Sequence, residues 1–360
     1  MLRNSYNVFF PTPSFLAVPS FGFDISDESL KFIELRVTSS GIKIGRYGER
    51  KIPPGIIEGG SIKDPKKLET ILTSIRKEEG VKSVRVSLPE EQIYVFKMKL
   101  DKEGLEHIRE GIELSLEEHI PIPGPDAIFD YEILEQDSKM VRIQVVAIPK
   151  NVIANYLEVF QGASMSVQSF ELEAQAIARA VIKKGDTNAY MIVDFGEKRT
   201  GISIVSKGIA MLSSTIDVGG VILNNSIKKS FNVSYEEAEK MKKQFGLQRN
   251  TANKEIFSVL LNSVSVLRDE VAKHFLYWHT HKDEDGKDNP PIKKIILCGG
   301  DSNLIGLSEY FAVSLKTRVE MANVWTNIAP TDSTIPEISF KKALSFAAAL
   351  GLALGDFDHD

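Results

Sequence analysis

Two aspartates carry the first chemical signal. Asp24 ends an apolar run in "FGFDISDESLKFIEL", residues 21–35, and Asp194 ends another in "YMIVDFGEKRTGISIV", residues 190–205. Each run drives into its acid, turns through small or polar residues, and returns as a second apolar segment. Such a carboxylate can hold a hydrated Mg²⁺, and the backbone N–H groups of a tight turn make a cradle for an anion. Lys31, just past the first turn, adds a cation. Two such hairpins facing each other across a cleft would grip the phosphates of a nucleotide.

Glycine pairs extend the pattern. In "CGGDSNL" an apolar strand runs into Gly299 and Gly300 before a helix near Asn303. Glycines there let the backbone approach a flat ligand closely. "DVGG" sets Gly219 and Gly220 before another helix, and in "YEEAEKMKKQFG" Glu239 and Lys242 share one helical face.

The elements that must position these residues follow from periodicity. "FGFDI" and "LKFIELRV" read as strands around a turn, and Leu68, Ile71, Leu72 and Ile75 form the stripe of a helix. After Pro89 the character changes to strand, helix, two strands and a helix, with "EQIYVFKMKL" and "MVRIQVVAIP" as strands and "NVIANYLEVFQGA" as the closing helix. This reads as a small α+β unit inserted into the first domain. The second half repeats the strand plan, then turns helical. The expected division is 1–88 with 165–184 and 335–360 as a first subdomain, 89–164 as the insert, 185–225 with 286–334 as a second subdomain, and 226–285 as a helical subdomain by the nucleotide.

Composition narrows the classes. The 360 residues suit two or more compact units. With 44 basic and 49 acidic residues the net charge of −5 gives no reason to expect nucleic acid. The single cysteine, Cys298, sits in an apolar strand, reads as buried packing and fits a reducing compartment. Pro11, Pro13 and Pro19 interrupt the N-terminal apolar run, which argues against a signal peptide. His274, His279 and His281 near Asp283, Glu284 and Asp285 read as a helix end running into a solvated loop rather than a metal site.

Taken in order, these motifs resemble the actin / heat-shock-chaperone / sugar-kinase superfamily. Within it the chain is similar to the FtsA-like branch, and still more to the type IV pilus assembly family PilM, from about Phe21 to about Gly355 and including the inserted block. The resemblance implies a two-domain α/β actin-like ATPase fold with ATP or ADP and Mg²⁺ in the cleft. "DISDESLK" resembles the first phosphate motif, with Asp24 near the metal and Ser26, Ser29 and Lys31 by the phosphates. "DFGEKRTG" resembles the second, with Asp194 near the metal and Gly196 and Thr200 by the phosphates. Gly219 and Gly220 fall on the phosphate side, Glu239 and Lys242 on ribose and base, and Gly299, Gly300 and Ser302 on the adenosine motif. In "ELEAQAIARA", Glu171 falls where hydrolytic members handle the attacking water. The chain departs from the pattern in three places: Ser26 replaces the usual glycine of the first loop, Asp27 and Glu28 place extra negative charge beside the phosphates, and Lys198 stands where the second loop often has glycine, offsetting that charge but restricting close backbone approach; slow or absent hydrolysis is the expectation.

The resemblance further implies a cytoplasmic scaffold that reaches the inner membrane through a partner. That partner is the cytoplasmic N-terminal tail of a PilN-like protein, received in a groove beside the insert. Other pilus-assembly components and self-association are implied less directly. A division protein of the FtsA kind is the alternative, disfavoured because the acidic end "LGDFDHD" carries no basic amphipathic segment. A small-molecule kinase is a further one, and the insert displays no catalytic constellation for it.

Overall fold

The computed structural model describes residues 20–38, 41–101, 107–137, 139–249, 253–282, 286–328 and 338–357. The N-terminal run and Asp283, Glu284 and Asp285, on which readings above depend, lie outside them. The chain opens with an antiparallel trio, β1 (Phe21–Ile25), β2 (Ser29–Thr38) and β3 (Gly41–Lys51). A short pair follows, β4 (Ile57–Glu58) and β5 (Ser61–Ile62), then helix α1 (Pro65–Glu79) and β6 (Ser83–Leu88). The inserted elements are β7 (Tyr94–Asp101), α2 (Ile108–His119), β8 (Ala127–Gln136) and β9 (Met140–Pro149). Helix α3 (Lys150–Gly162), β10 (Ser166–Leu172) and α4 (Glu173–Val181) complete the first half.

The second half runs β11 (Ala189–Phe195), β12 (Thr200–Ser206), β13 (Ile209–Ile216), α5 (Gly220–Phe231), α6 (Tyr235–Phe245) and α7 (Lys254–Thr280). It ends with β14 (Ile292–Cys298), α8 (Leu307–Leu315), β15 (Val319–Met321) and α9 (Ala347–Leu354). The first large sheet has the order β3-β2-β1-β6-β10 and the second β13-β12-β11-β14-β15. In both, a meander of three antiparallel strands is extended by two parallel ones, so the repeat seen in the hairpins is a repeat of whole sheets.

Helices α4 and α9 lie between the sheets and bury Ala174, Ile177, Ala178, Ala349, Leu350 and Ala353 with Ile33 of β2 and Ile192 of β11. Small residues let these helices sit very close. A Cβ on Gly351 would stand 1.7 Å from the Ala176 carbonyl oxygen, and one on Gly22 of β1 would stand 1.8 Å from that of Ala349. Helix α1 starts where Asp64 accepts a bond from the Lys67 N–H and stops at Gly80, whose φ of 66° suits glycine.

The inserted sheet has the order β7-β9-β8. Strand alternation turns Val141, Ile143 and Val145 toward Ile108, Ile112 and Leu116 of α2. It turns Gln144, Val146 and Ile148 the other way. Helix α3 does not join this unit: Val152, Tyr156, Val159 and Phe160 pack into the first domain's core with Phe23 and Leu72. The insert's packing thus ends near Pro149, one helix earlier than the residue-164 boundary expected from periodicity, because amphipathicity names a buried face but not its partner. No helix among the described residues is long and apolar enough to cross a membrane.

Candidate functional site

The two hairpins close with the same bond: the Ser26 N–H donates to the Ser29 carbonyl at 2.9 Å, and the Gly196 N–H to the Arg199 carbonyl at 3.0 Å. Asp24 stands opposite Lys31 on β2, and Asp194 opposite Gly201 on β12. Both turns line one cleft of about 470 Å³ together with Ser26, Ser29, Lys31, Gly196, Glu239, Lys242, Gly299 and Gly300. Gly299 has a φ of 89°, and a Cβ there would lie 2.4 Å from an Asp194 carboxylate oxygen. Here glycine is required both by conformation and by the close approach of the two strands.

Three carboxyls gather at the deep end: Asp24, Asp194 and Glu173, the first residue of α4. Burial raises the pKa of each, and for Asp194 and Glu173 the neighbouring Asp24 raises it further. The Ser87 hydroxyl donates to Asp24 at 3.1 Å, and Glu173 shares a hydrogen bond with Asp194. Burial works to lower the Lys31 ammonium, but Asp24, Glu49, Asp194 and Glu173 hold it above its usual value. Three acids thus face one ammonium. Among the described residues no group of three or more acidic, histidine or cysteine side chains is placed to ligate a metal ion directly.

Five of the residues expected to touch the ligand do not line the cleft. Glu171 is the penultimate residue of β10 and sits between Arg85 at 3.2 Å and Arg179 at 2.7 Å. The acid that does face the cleft is Glu173. Its signal was the second glutamate of "ELEA", and only the end of β10 at Leu172 separates the two. Thr200 is fully buried and donates its hydroxyl to the Val218 carbonyl. The Ser302 hydroxyl donates to the Cys298 carbonyl. Gly219 lies under the second turn, where a Cβ would meet the Lys198 carbonyl carbon at 2.3 Å, and Gly220 lies against Asp301. The first N–H groups of α5 are already used, Gly220 on the Gly196 carbonyl and Val221 on that of Glu197. These residues shape the cleft from behind.

The added charges of the turns are matched. Asp27 accepts the N–H groups of Gly59 and Gly60 at 3.0 and 3.1 Å and pairs with Arg199 at 3.1 Å. Glu28 pairs with Lys198. Lys242 is buried against Asp301, whose pKa burial raises, and Lys243 pairs with Glu239. Eleven acidic and six basic residues line the cleft, so its balance stays negative. Cys298 is buried beside Asp194 on the neighbouring strand. The Nδ1 atoms of His274, His279 and His281 all donate to carbonyls one turn back in α7.

A second concavity, about 760 Å³, lies between the insert and the first domain. Its floor is Ile128, Asp130 and Glu132 of β8 with Gln144, Val146 and Ile148 of β9; its walls are Phe170 and Leu172 of β10, Ile153 of α3, and Gln175 and Arg179 of α4. Strands β8 and β10 are each at the edge of their sheet. Burial raises the Glu132 carboxyl, while Arg179 works against that. The flanking strands expected from sequence were "EQIYVFKMKL" and "MVRIQVVAIP". The second, β9, supplies the floor, but Tyr94, Val95 and Phe96 of β7 line a different hollow on the far side, because β9 lies between β7 and β8.

A family model described as type IV pilus assembly protein PilM matches residues 22–357. The cell division protein FtsA of Staphylococcus epidermidis is 22% identical over 238 residues, which are 59% of this chain and 48% of that protein. The chain therefore spans about half the length of the curated relatives it matches. Among solved structures, one described as a PilM-PilN type IV pilus biogenesis complex aligns with a TM-score of 0.77 at 20% identity, covering 95% of this chain and 99% of that one. MreB5 of Spiroplasma citri bound to AMPPNP aligns with a TM-score of 0.51 at 16% identity, covering 86% and 94%. The fold is that of the actin-like ATPases.

Proposed function

The chain belongs to the type IV pilus assembly protein family PilM, and from that premise we propose that it is a nucleotide-binding scaffold whose partner lies in the groove beside the insert. The observation that carries this reading is the groove itself: a floor of apolar and acidic residues bounded by two strand edges, β8 and β10, in which an extended peptide gains main-chain hydrogen bonds and pockets for alternate side chains. The occupant is the cytoplasmic tail of a PilN-like membrane protein, apolar for Ile128, Val146, Ile153 and Phe170, with a basic residue for Asp130 and Glu132. The scaffold then works in the cytoplasm at the inner face of the membrane, held there by that tail.

ATP with Mg²⁺ occupies the cleft in this reading. The cation neutralises the carboxyl cluster and the phosphate charge; Asp24 and Asp194 orient its water shell. Lys31 and the turn at Gly196 receive the phosphates, Gly299 and Gly300 admit the adenosine, and Glu239 and Lys242 flank it. Glu173 takes the water-handling position first expected for Glu171. Turnover is slow or absent, because Lys198, Arg199 and Lys242 are already bonded to the protein's own carboxylates and a phosphate must compete for them.

Calorimetric titration of a synthetic PilN-like tail into the full chain tests the reading. Saturable one-to-one binding with a micromolar or tighter dissociation constant is expected; no heat and no binding at millimolar tail would overturn it.

A further inference from the structure

One polar atom of the groove is left without a partner among the described residues. Gln144 is 3% exposed and stands on the groove floor, yet its Oε1 accepts no hydrogen bond from any described residue. Its Nε2 donates to the Ala210 carbonyl at 2.7 Å. That bond fixes which way the amide points, since the reverse would set two oxygens against each other. Ala210 belongs to β13, the edge strand of the second sheet, and its N–H is taken by Gln175 Oε1 at 2.9 Å. The Gln175 Nε2 donates to the Gly208 carbonyl at 2.8 Å. Two glutamines of the groove thus clasp the second domain, and only Gln144 keeps an acceptor unused. Buried acceptors are rarely left so, because the cost of desolvation goes unrecovered.

We propose that Gln144 is a recognition residue of the groove: on binding, a small shift of the side chains around it bares its Oε1, shut from solvent in the free chain, to a main-chain N–H of an extended peptide while its Nε2 stays on Ala210, so that the amide bridges the occupant and the second domain. The donor is a main-chain N–H because that is the group an extended peptide presents to a sheet-lined groove at every second residue. A guanidinium brings five donors and an ammonium three, most of which this one oxygen would leave unmet in a buried site. The inference rests on the reading that the groove takes a tail, and deepens it by naming the contact.

The test is a double-mutant cycle on the full chain. A synthetic PilN-like tail is N-methylated at one residue at a time, and each peptide is titrated against wild type, Gln144→Met and Gln144→Glu. In wild type one position is expected to lose about tenfold in affinity on methylation, the scale of a hydrogen bond to a buried acceptor. Gln144→Met should bind the unmodified tail about tenfold more weakly and lose that position-specific penalty. Gln144→Glu, which when protonated keeps an acceptor oxygen and donates to the Ala210 carbonyl in place of Nε2, should retain the penalty when titrated at acidic pH. Any fold destabilisation cancels within each background, and Gln144→Glu alone decides the matter if Gln144→Met does not fold. Identical methylation penalties in wild type and Gln144→Met overturn the inference and leave the tail reading standing, as does loss of the penalty in Gln144→Glu. Failure of wild type to bind any tail overturns both.

Discussion

The cleft and the groove are two concavities of this chain that are finished differently. In the cleft, Lys198, Arg199, Lys242 and Lys243 each have a carboxylate partner. Its deep end concentrates acids. In the groove, Ile128, Val146 and Ile148 share the floor with Asp130, Glu132 and Gln144, two strand edges bound it, and Gln144 keeps an acceptor unbonded among the described residues. The cleft is a network of ion pairs with acids in excess, and Asn224 Oδ1 on its wall is as unbonded among the described residues as Gln144 Oε1 is in the groove. What separates the two is therefore charge and strand edges: the cleft calls for a cation, whereas the groove offers main-chain pairing along β8 and β10.

The comparison breaks most sharply at the groove floor. Val146→Trp should fill the groove without entering a core, weakening tail binding by at least about thirtyfold, the scale of a central interface residue. The nucleotide-induced shift in melting temperature should stay unchanged. Anisotropy of a labelled tail and a thermal melt check both halves; unaltered tail affinity would place the partner elsewhere.

The reciprocal variant is Asp194→Asn. Mg·ATP at about a hundred times its dissociation constant should stabilise wild type by about 2.7 kcal/mol, and the variant should lose most of that. Tail affinity should change by less than about threefold, as distant sites are nearly independent. Differential scanning calorimetry reads the first effect and titration the second.

A pH series sharpens the account of the cleft. Asp24, Asp194 and Glu173 have raised pKa values, so the folded chain holds their protons after the unfolded chain has released them. Stability should therefore fall as pH rises from the ordinary carboxyl range through their folded values. Mg²⁺, which favours the ionised acids, should offset the fall, and Asp194→Asn should flatten it. Melting temperature against pH, with and without Mg²⁺, measures this.

The smallest effect lies at the turns. The Glu28–Lys198 pair is partly exposed, with Lys198 47% and Glu28 20% accessible, so its worth is about 1 kcal/mol or less. Glu28→Gln should release Lys198 for phosphate and tighten nucleotide binding by about twofold to fivefold, less so in high salt. Weaker binding in Glu28→Gln would mean that the pair helps to build the site.

The sequence made the hairpins legible because a buried strand ending in an acid, followed by a tight turn, leaves a pattern that recurs in both halves. The glycine pair at Gly299 and Gly300 was legible for a similar reason. What was not legible depended on partners distant in the chain. Glu171 and Glu173 differ by two residues, and the end of β10 decides which one faces the cleft. Thr200, Gly219, Gly220 and Ser302 carry the residue types of ligand contacts, yet they serve backbone carbonyls and close packing. Gln144 gave no signal at all, since an alternating strand does not reveal what its polar side chain will meet. The placement of β8 rather than β7 beside the groove was hidden for the same cause: strand order within a sheet is set by pairing, not by chain order.

The central claim, that the groove holds the partner, is tested most directly by photo-crosslinking. A synthetic PilN-like tail carrying a benzophenone at successive positions is irradiated with the full chain, with and without Mg·ATP, and adducts are mapped by mass spectrometry. The account predicts adducts on Ile128 to Glu132, on Val146 and Ile148, and on Phe170 to Leu172, in both conditions. Adducts confined to β7, to the cleft or to the second domain's far surface would contradict it.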